Sequence, residues 1–155
     1  MKENLKKLKK EYEKLQKRYR LPSFSALNKE FEIEKIQDRE TEFLLREIRR
    51  IISEKVAAFL HFLELFFNPT VAPFFVLTSI KSLSQSDKEL IERIYKELAK
   101  IQLNSLALDI ETNESKEAMF IKEVWKKWKE LKPDLKEFSK ILLGFQTKKR
   151  KGYVG

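Results

Sequence analysis

The chain has 155 residues, no cysteine, a single histidine and a formal net charge of +9. Without cysteine it has no disulfides, no thiolate nucleophile and no Cys-ligated zinc. Its hydrophobic content of 42% supplies a core, while three Gly and four Pro are too few for the tight turns of a β-sandwich or barrel.

Charged residues make up 37%, and the abundance of Lys and Glu gives a thermophile-like composition. The surplus positive charge sits at the two ends. Residues 1–20 carry a net +6, residues 148–151 a net +4, and the stretch between them a net −1. Charge placed that way is available to a large anionic partner and adds little to folding.

The expected first element is a helix over residues 2–20. Leu5, Leu8, Tyr12, Leu15 and Tyr19 are spaced 3, 4, 3, 4 and form a narrow apolar seam among charged neighbours. About two heptads are short for an isolated coiled coil, so the seam must lie on the chain's own body, a second copy or a partner. Pro22 ends this helix. Residues 21–37 read as an aromatic strap, with Ser23 or Ser25 capping a short helix and Phe24, Leu27, Phe31, Ile33 and Ile36 facing inward.

Asp38 is the expected N-cap of a long central helix over about 39–67. Its first half is amphipathic, with Arg39, Arg46, Arg49 and Arg50 assigned to the outside. Its second half, from Val56, is apolar nearly all round and reads as the centre of the core. Asn68-Pro69 stops it. A shorter apolar helix follows from Pro73 to Leu83. Ser86-Asp87-Lys88-Glu89 matches a capping box opening a helix from 87 to about 110, with Leu90, Ile94, Leu98, Ile101, Ser105 and Leu108 on one face. Thr112-Asn113 breaks and recaps the chain. Residues 114–131 form an amphipathic helix, Pro133 separates it from a last helix at 134–143, and Gly144 is the expected C′ residue. The remainder reads as a mobile tail.

These elements predict an all-α, single-domain bundle of about five or six helices. The chain is partitioned into a basic N-terminal helix (1–20), a bundle body (21–145) and a basic flexible tail (146–155). No βαβ alternation supports a Rossmann or P-loop fold. The N-terminus lacks the apolar run of a signal peptide, and no segment reads as a membrane span, so a cytoplasmic location is expected.

Four constellations invite a functional reading. His61 and Glu64 share a face one turn apart, but a di-iron bundle needs Glu-x-x-His twice, so a satisfied polar pair is the simpler reading. Asp109, Glu111, Glu114 and Glu117 cluster at an inter-helix loop without EF-hand spacing or its glycine, and read as helix-end chemistry. Trp125 and Trp128 among Lys122, Lys126, Lys127, Lys129 and Lys132 could stack on unpaired bases, but share a face with Ile121 and read as core. Phe59, Phe62, Phe66, Phe67, Phe74 and Phe75 concentrate aromatics in a short stretch. The simpler reading is a Phe-rich core, but the adjacent pairs Phe66-Phe67 and Phe74-Phe75 cannot both be buried against one neighbour, which gives a partner surface more weight than usual.

No catalytic motif, cofactor, metal site or small-molecule substrate is evident. The expected function is non-catalytic binding of nucleic acid, preferably structured RNA or a ribonucleoprotein surface such as the ribosome. The contacts would come from Lys6, Lys7, Lys9, Lys10, Lys14, Lys17 and Arg18, and from Lys148, Lys149, Arg150 and Lys151. The alternative is a homo-oligomeric scaffold or adaptor, dimeric for example, using Leu5, Leu8, Tyr12, Leu15, Tyr19, Phe66, Phe67, Phe74 and Phe75. Peripheral membrane binding would need exposed bulky apolar residues beside the lysines, which the first helix does not supply.

Overall fold

The computed structural model describes residues 2–39 and 41–154, and the side chains of residues 3–39 and 41–146. Among these residues the protein is an all-α helical bundle without strands. No described helix is long and apolar enough to cross a membrane.

Helix α1 spans Lys2–Tyr19. Arg20 follows with φ 56°, and the Leu21 amide donates to the Gln16 carbonyl at 3.1 Å. That is a Schellman closure with Arg in the position glycine usually takes. Buried Leu21 pins the closure, and Pro22 prevents the helix from continuing. Helix α2, Phe24–Phe31, is capped by the Ser23 hydroxyl, which accepts from the Ala26 amide at 3.1 Å. Glu32, also at φ 56°, turns the chain into a 3-10 segment at Ile33–Asp38. The Asn28 side chain accepts from the Glu34 amide at 2.9 Å and holds that turn. Phe24, Leu27, Phe31, Ile33 and Ile36 are all buried, as the strap pattern requires.

The central helix α3 is Leu44–Phe67, shorter than the expected span at its N-terminal end. Asp38 closes the 3-10 segment instead of capping α3. The cap-like hydroxyl is Thr41 Oγ1, which accepts from the Phe43 amide at 3.2 Å. After a 3-10 turn at Pro69–Val71, helix α4 covers Phe74–Ile80. Helix α5 is Gln85–Ile110 and helix α6 is Glu114–Val154, so α3 is not the longest element.

The capping box of α5 lies two residues upstream of its expected place. Ser84 Oγ accepts from the Asp87 amide at 3.1 Å, and Asp87 Oδ2 accepts from the Ser84 amide at 3.1 Å. Aspartate thus does what glutamate or glutamine does in the usual motif. The Ser84→Ala variant is expected to lose about 1 kcal/mol in urea unfolding, and Ser86→Ala close to nothing.

Asn113 caps α6 as expected, its side chain accepting from the Lys116 amide at 2.8 Å. The expected breaks at Pro133 and Gly144 do not occur. An interior proline costs roughly 3 kcal/mol of helix propensity, but Trp128 and Leu131 before it and Phe138 beyond it are all buried. Packing on both sides outweighs the missing amide. The backbone stays helical through the basic run to Val154, where a mobile tail was expected. The side chains of Lys148, Lys149, Arg150 and Lys151 lie outside the described residues.

The chain forms two compact units, Met1–Ala57 with Lys100–Lys127, and Ala58–Ala99 with Trp128–Gly155. In the first, Leu8 and Tyr12 of α1 and the apolar residues of the strap are buried together with Leu44, Leu45, Ile48, Ile51, Ile52, Val56, Ile101, Ala118, Phe120, Ile121 and Val124. In the second, Leu60, Leu63, Val76, Leu90, Ile94, Leu98, Trp128 and Phe138 are buried.

Tyr12 is fully buried, and its hydroxyl donates to the Pro22 carbonyl at 2.5 Å. Burial pushes the phenol well above its ordinary value. The folded state therefore keeps a proton that the unfolded chain releases near pH ~10, and stability falls as pH rises past that point. The Tyr12→Phe variant is expected to lose about 1 kcal/mol at neutral pH and to shed part of the alkaline destabilisation, read from denaturation series on either side of pH ~10.

Candidate nucleic-acid interface

The apolar seam of α1 fixes which way its lysines face. Leu8 and Tyr12 are buried in the first unit, and Leu5, Leu15 and Tyr19 are half-buried. The Tyr12 ring meets Phe24 edge-on, with centroids 5.8 Å apart. At the far end of the helix, Tyr19 Oη donates to Glu114 Oε1 at 2.7 Å and Arg18 Nη1 donates to the same oxygen at 2.9 Å. The hydrogen bond to Glu114, helped by desolvation, holds the Tyr19 phenol above its ordinary value. The seam expected at an oligomer interface is therefore occupied by the chain's own body.

With the seam inward, Lys6, Lys7, Lys10, Lys14 and Lys17 face solvent, and all five are exposed. Steps of three and four residues put them on one side of the helix, opposite Leu8 and Tyr12. At 1.5 Å per residue they run over about 16 Å. Glu3, Glu11 and Glu13 share the helix, yet none of the five lysines makes an ion pair among the described residues. Each like-charge neighbour at i+3 or i+4 costs the helix roughly 0.2–0.5 kcal/mol. Glu3 and Glu11 lie beside Lys6, Lys7, Lys10 and Lys14 and offset part of that repulsion, and the remaining positive charge is open to an external anion. Beside it opens a recess of about 520 Å³ lined by Leu8 and Ile36 and by both signs of charge, Lys7 and Arg39 with Glu11 and Asp38.

Two of the expected contact residues are committed elsewhere. Lys9 Nζ lies 5.7 Å from the Phe24 ring centroid, and Arg18 is paired with Glu114.

The remaining candidates fall as follows. His61 and Glu64 are exposed, 4.0 Å apart, with Tyr95 Oη donating to Glu64 at 3.3 Å. They form a surface pair instead of a core or interface dyad. No group of three potential metal ligands occurs among the described residues. Trp128 is buried beside Phe59, centroids 6.1 Å apart, and Trp125 is half-buried. Phe66 is half-buried between Phe62 and Phe138, whereas Phe67, Phe74 and Phe75 are 49%, 75% and 56% exposed.

The charged residue that sequence reasoning misplaced is Arg49, assigned to the outside but only 1% exposed. Its Nε donates to Glu117 Oε2 at 2.6 Å, and its Nη1 donates to the Ser105 carbonyl at 3.0 Å and to Ser105 Oγ at 2.9 Å. Asp109 Oδ1 lies 2.9 Å from Nη2 as an ion pair, without hydrogen-bond alignment. Thr112 Oγ1 donates to the other oxygen of Glu117 at 2.8 Å, and Ser53 and Ser105 hydroxyls touch at 2.5 Å. Burial alone would lower the Arg49 guanidinium, but Glu117 and Asp109 outweigh it and hold the group above its ordinary value. Glu117 is thus more than a helix-end charge. Every member of this cluster is engaged with another, so its chemistry is that of a structural lock.

Comparison with known protein families, curated proteins and solved structures finds no match to this chain.

Proposed function

We propose that this protein is a non-catalytic nucleic-acid-binding protein that meets structured RNA or a ribonucleoprotein surface through α1. The observation that carries this reading is the outward stripe of Lys6, Lys7, Lys10, Lys14 and Lys17, exposed and without an ion pair among the described residues, on a helix locked by its opposite face. RNA is preferred over DNA because the chain has no cysteine for zinc fingers and no glycine-turn helix-turn-helix.

The test is retention on RNA at low salt. Binding that weakens steeply with salt, and that reversal of Lys6, Lys10 and Lys14 to Glu abolishes, supports the reading. Purified protein that shows no salt-sensitive retention of RNA or DNA sinks it. The homo-oligomeric scaffold loses the α1 seam, since Leu8 and Tyr12 are buried within their own unit.

A further inference from the structure

A ridge of exposed apolar side chains rises from the second unit. Phe67 is 49% exposed, Val71 66%, Phe74 75% and Phe75 56%. They belong to residues 65–80, sixteen consecutive positions without a charged side chain. The stretch is interrupted by Asn68, Pro69 and Pro73 and does not form a spanning helix. Behind the ridge Phe75 also walls a groove of about 260 Å³ with Phe62, Phe66, Val76, Leu142 and Phe145, again without a charged residue in its lining. Immediately beyond Phe145 and Gln146, the same helix continues into Lys148, Lys149, Arg150 and Lys151.

From this juxtaposition we infer that the second unit docks on an anionic lipid surface. Phe67, Val71, Phe74 and Phe75 enter the headgroup–acyl boundary, and the basic run lies against the headgroups. The four side chains expose on the order of 450 Å² of apolar surface, a large patch for a soluble chain. They are exposed, as insertion into a lipid boundary requires, and the groove of about 260 Å³ that Phe75 lines is small for a partner helix. Apolar insertion joined to a polybasic run is the two-signal combination that gives stable peripheral attachment. A second copy fits less well, because pairing through the ridge would bring two basic runs together. Nucleic acid fits less well because no cation lines the ridge or its groove.

The experiment is co-sedimentation of the full chain with phosphatidylcholine vesicles, with and without phosphatidylglycerol. Binding to the anionic vesicles only is expected. Phe74→Ser or Phe75→Ser should weaken it roughly tenfold to a hundredfold, with helical circular dichroism and RNA retention unchanged. Removal of residues 147–155 should erase the preference for anionic lipid. Protein that stays in the supernatant with anionic vesicles at low salt overturns the inference, as does a Phe74→Asp, Phe75→Asp double variant that binds like the wild type. Phe74→Ser that converts a dimer to a monomer without changing vesicle binding assigns the ridge to a second copy and also overturns it. RNA retention is measured on the same samples, so the fate of the lipid reading and of the α1 reading are told apart.

Discussion

Arg49→Ala is expected to destabilise the protein by about 3–5 kcal/mol, the usual cost of breaking a buried ion pair by removing one partner. The penalty arises at Glu117, which is 0% exposed and would be left as a buried carboxylate with only Thr112 donating to it. Ser105 would lose its guanidinium donor in the same step. At about 2–4 °C per kcal/mol for a chain of this size, the melting temperature should fall by roughly 10 °C. Replacing Arg49 and Glu117 together, by Met and Leu, should recover most of the loss, because apolar side chains of similar volume need no compensating charge. Asp109→Asn should cost less than about 1 kcal/mol, since Asp109 is half in solvent. Thermal melts of the single and double variants decide the matter, and an Arg49→Ala loss below about 1 kcal/mol would refute the lock.

The second large effect concerns salt. Five phosphate contacts predict a slope of log K against log salt of roughly −3.5 to −4.5, or a loss of about a hundredfold to five hundredfold between 50 and 200 mM. Changing Lys6, Lys10 and Lys14 to Gln should flatten that slope by about 2 to 3. Lys9→Gln should flatten it by less than about 1, because Lys9 lies over Phe24 and off the stripe. Equal effects of Lys9 and Lys10 would mean that the attraction is diffuse net charge and that the orientation of α1 is irrelevant to it.

Fold class and most helix positions were legible because the apolar periods are regular and caps such as Ser23 and Asn113 are local signals. The position of the α5 cap was missed because Ser84 and Asp87 form the box without a Glu or Gln. Pro133 misled because propensity was read without the burial of Trp128, Leu131 and Phe138 around it. Arg49 was misplaced by residue type, although its spacing was informative. It stands four residues after Leu45 and three before Ile52, both buried, so the helical period itself put it inside. Glu117 likewise stands four residues before buried Ile121. The lysine stripe was legible as charge, but its direction became readable only once Leu8 and Tyr12 had a surface to bury against.

The two units are interleaved along the chain, and that ordering governs how the protein is made. The first unit takes its early residues from Met1–Ala57 and its late ones from Lys100–Lys127, and the second closes only with Trp128–Gly155. A ribosome adding about 5–20 residues per second delivers Glu114 and Glu117 several seconds after Tyr19 and Arg49. Until then α1 rests on α2 and the 3-10 segment, with Tyr12 held by Pro22, and the Arg49 guanidinium lacks its buried carboxylate. The first unit can close once Lys127 has been made, while Ala58–Ala99 of the second must wait, with its apolar side chains uncovered, for Trp128–Gly155.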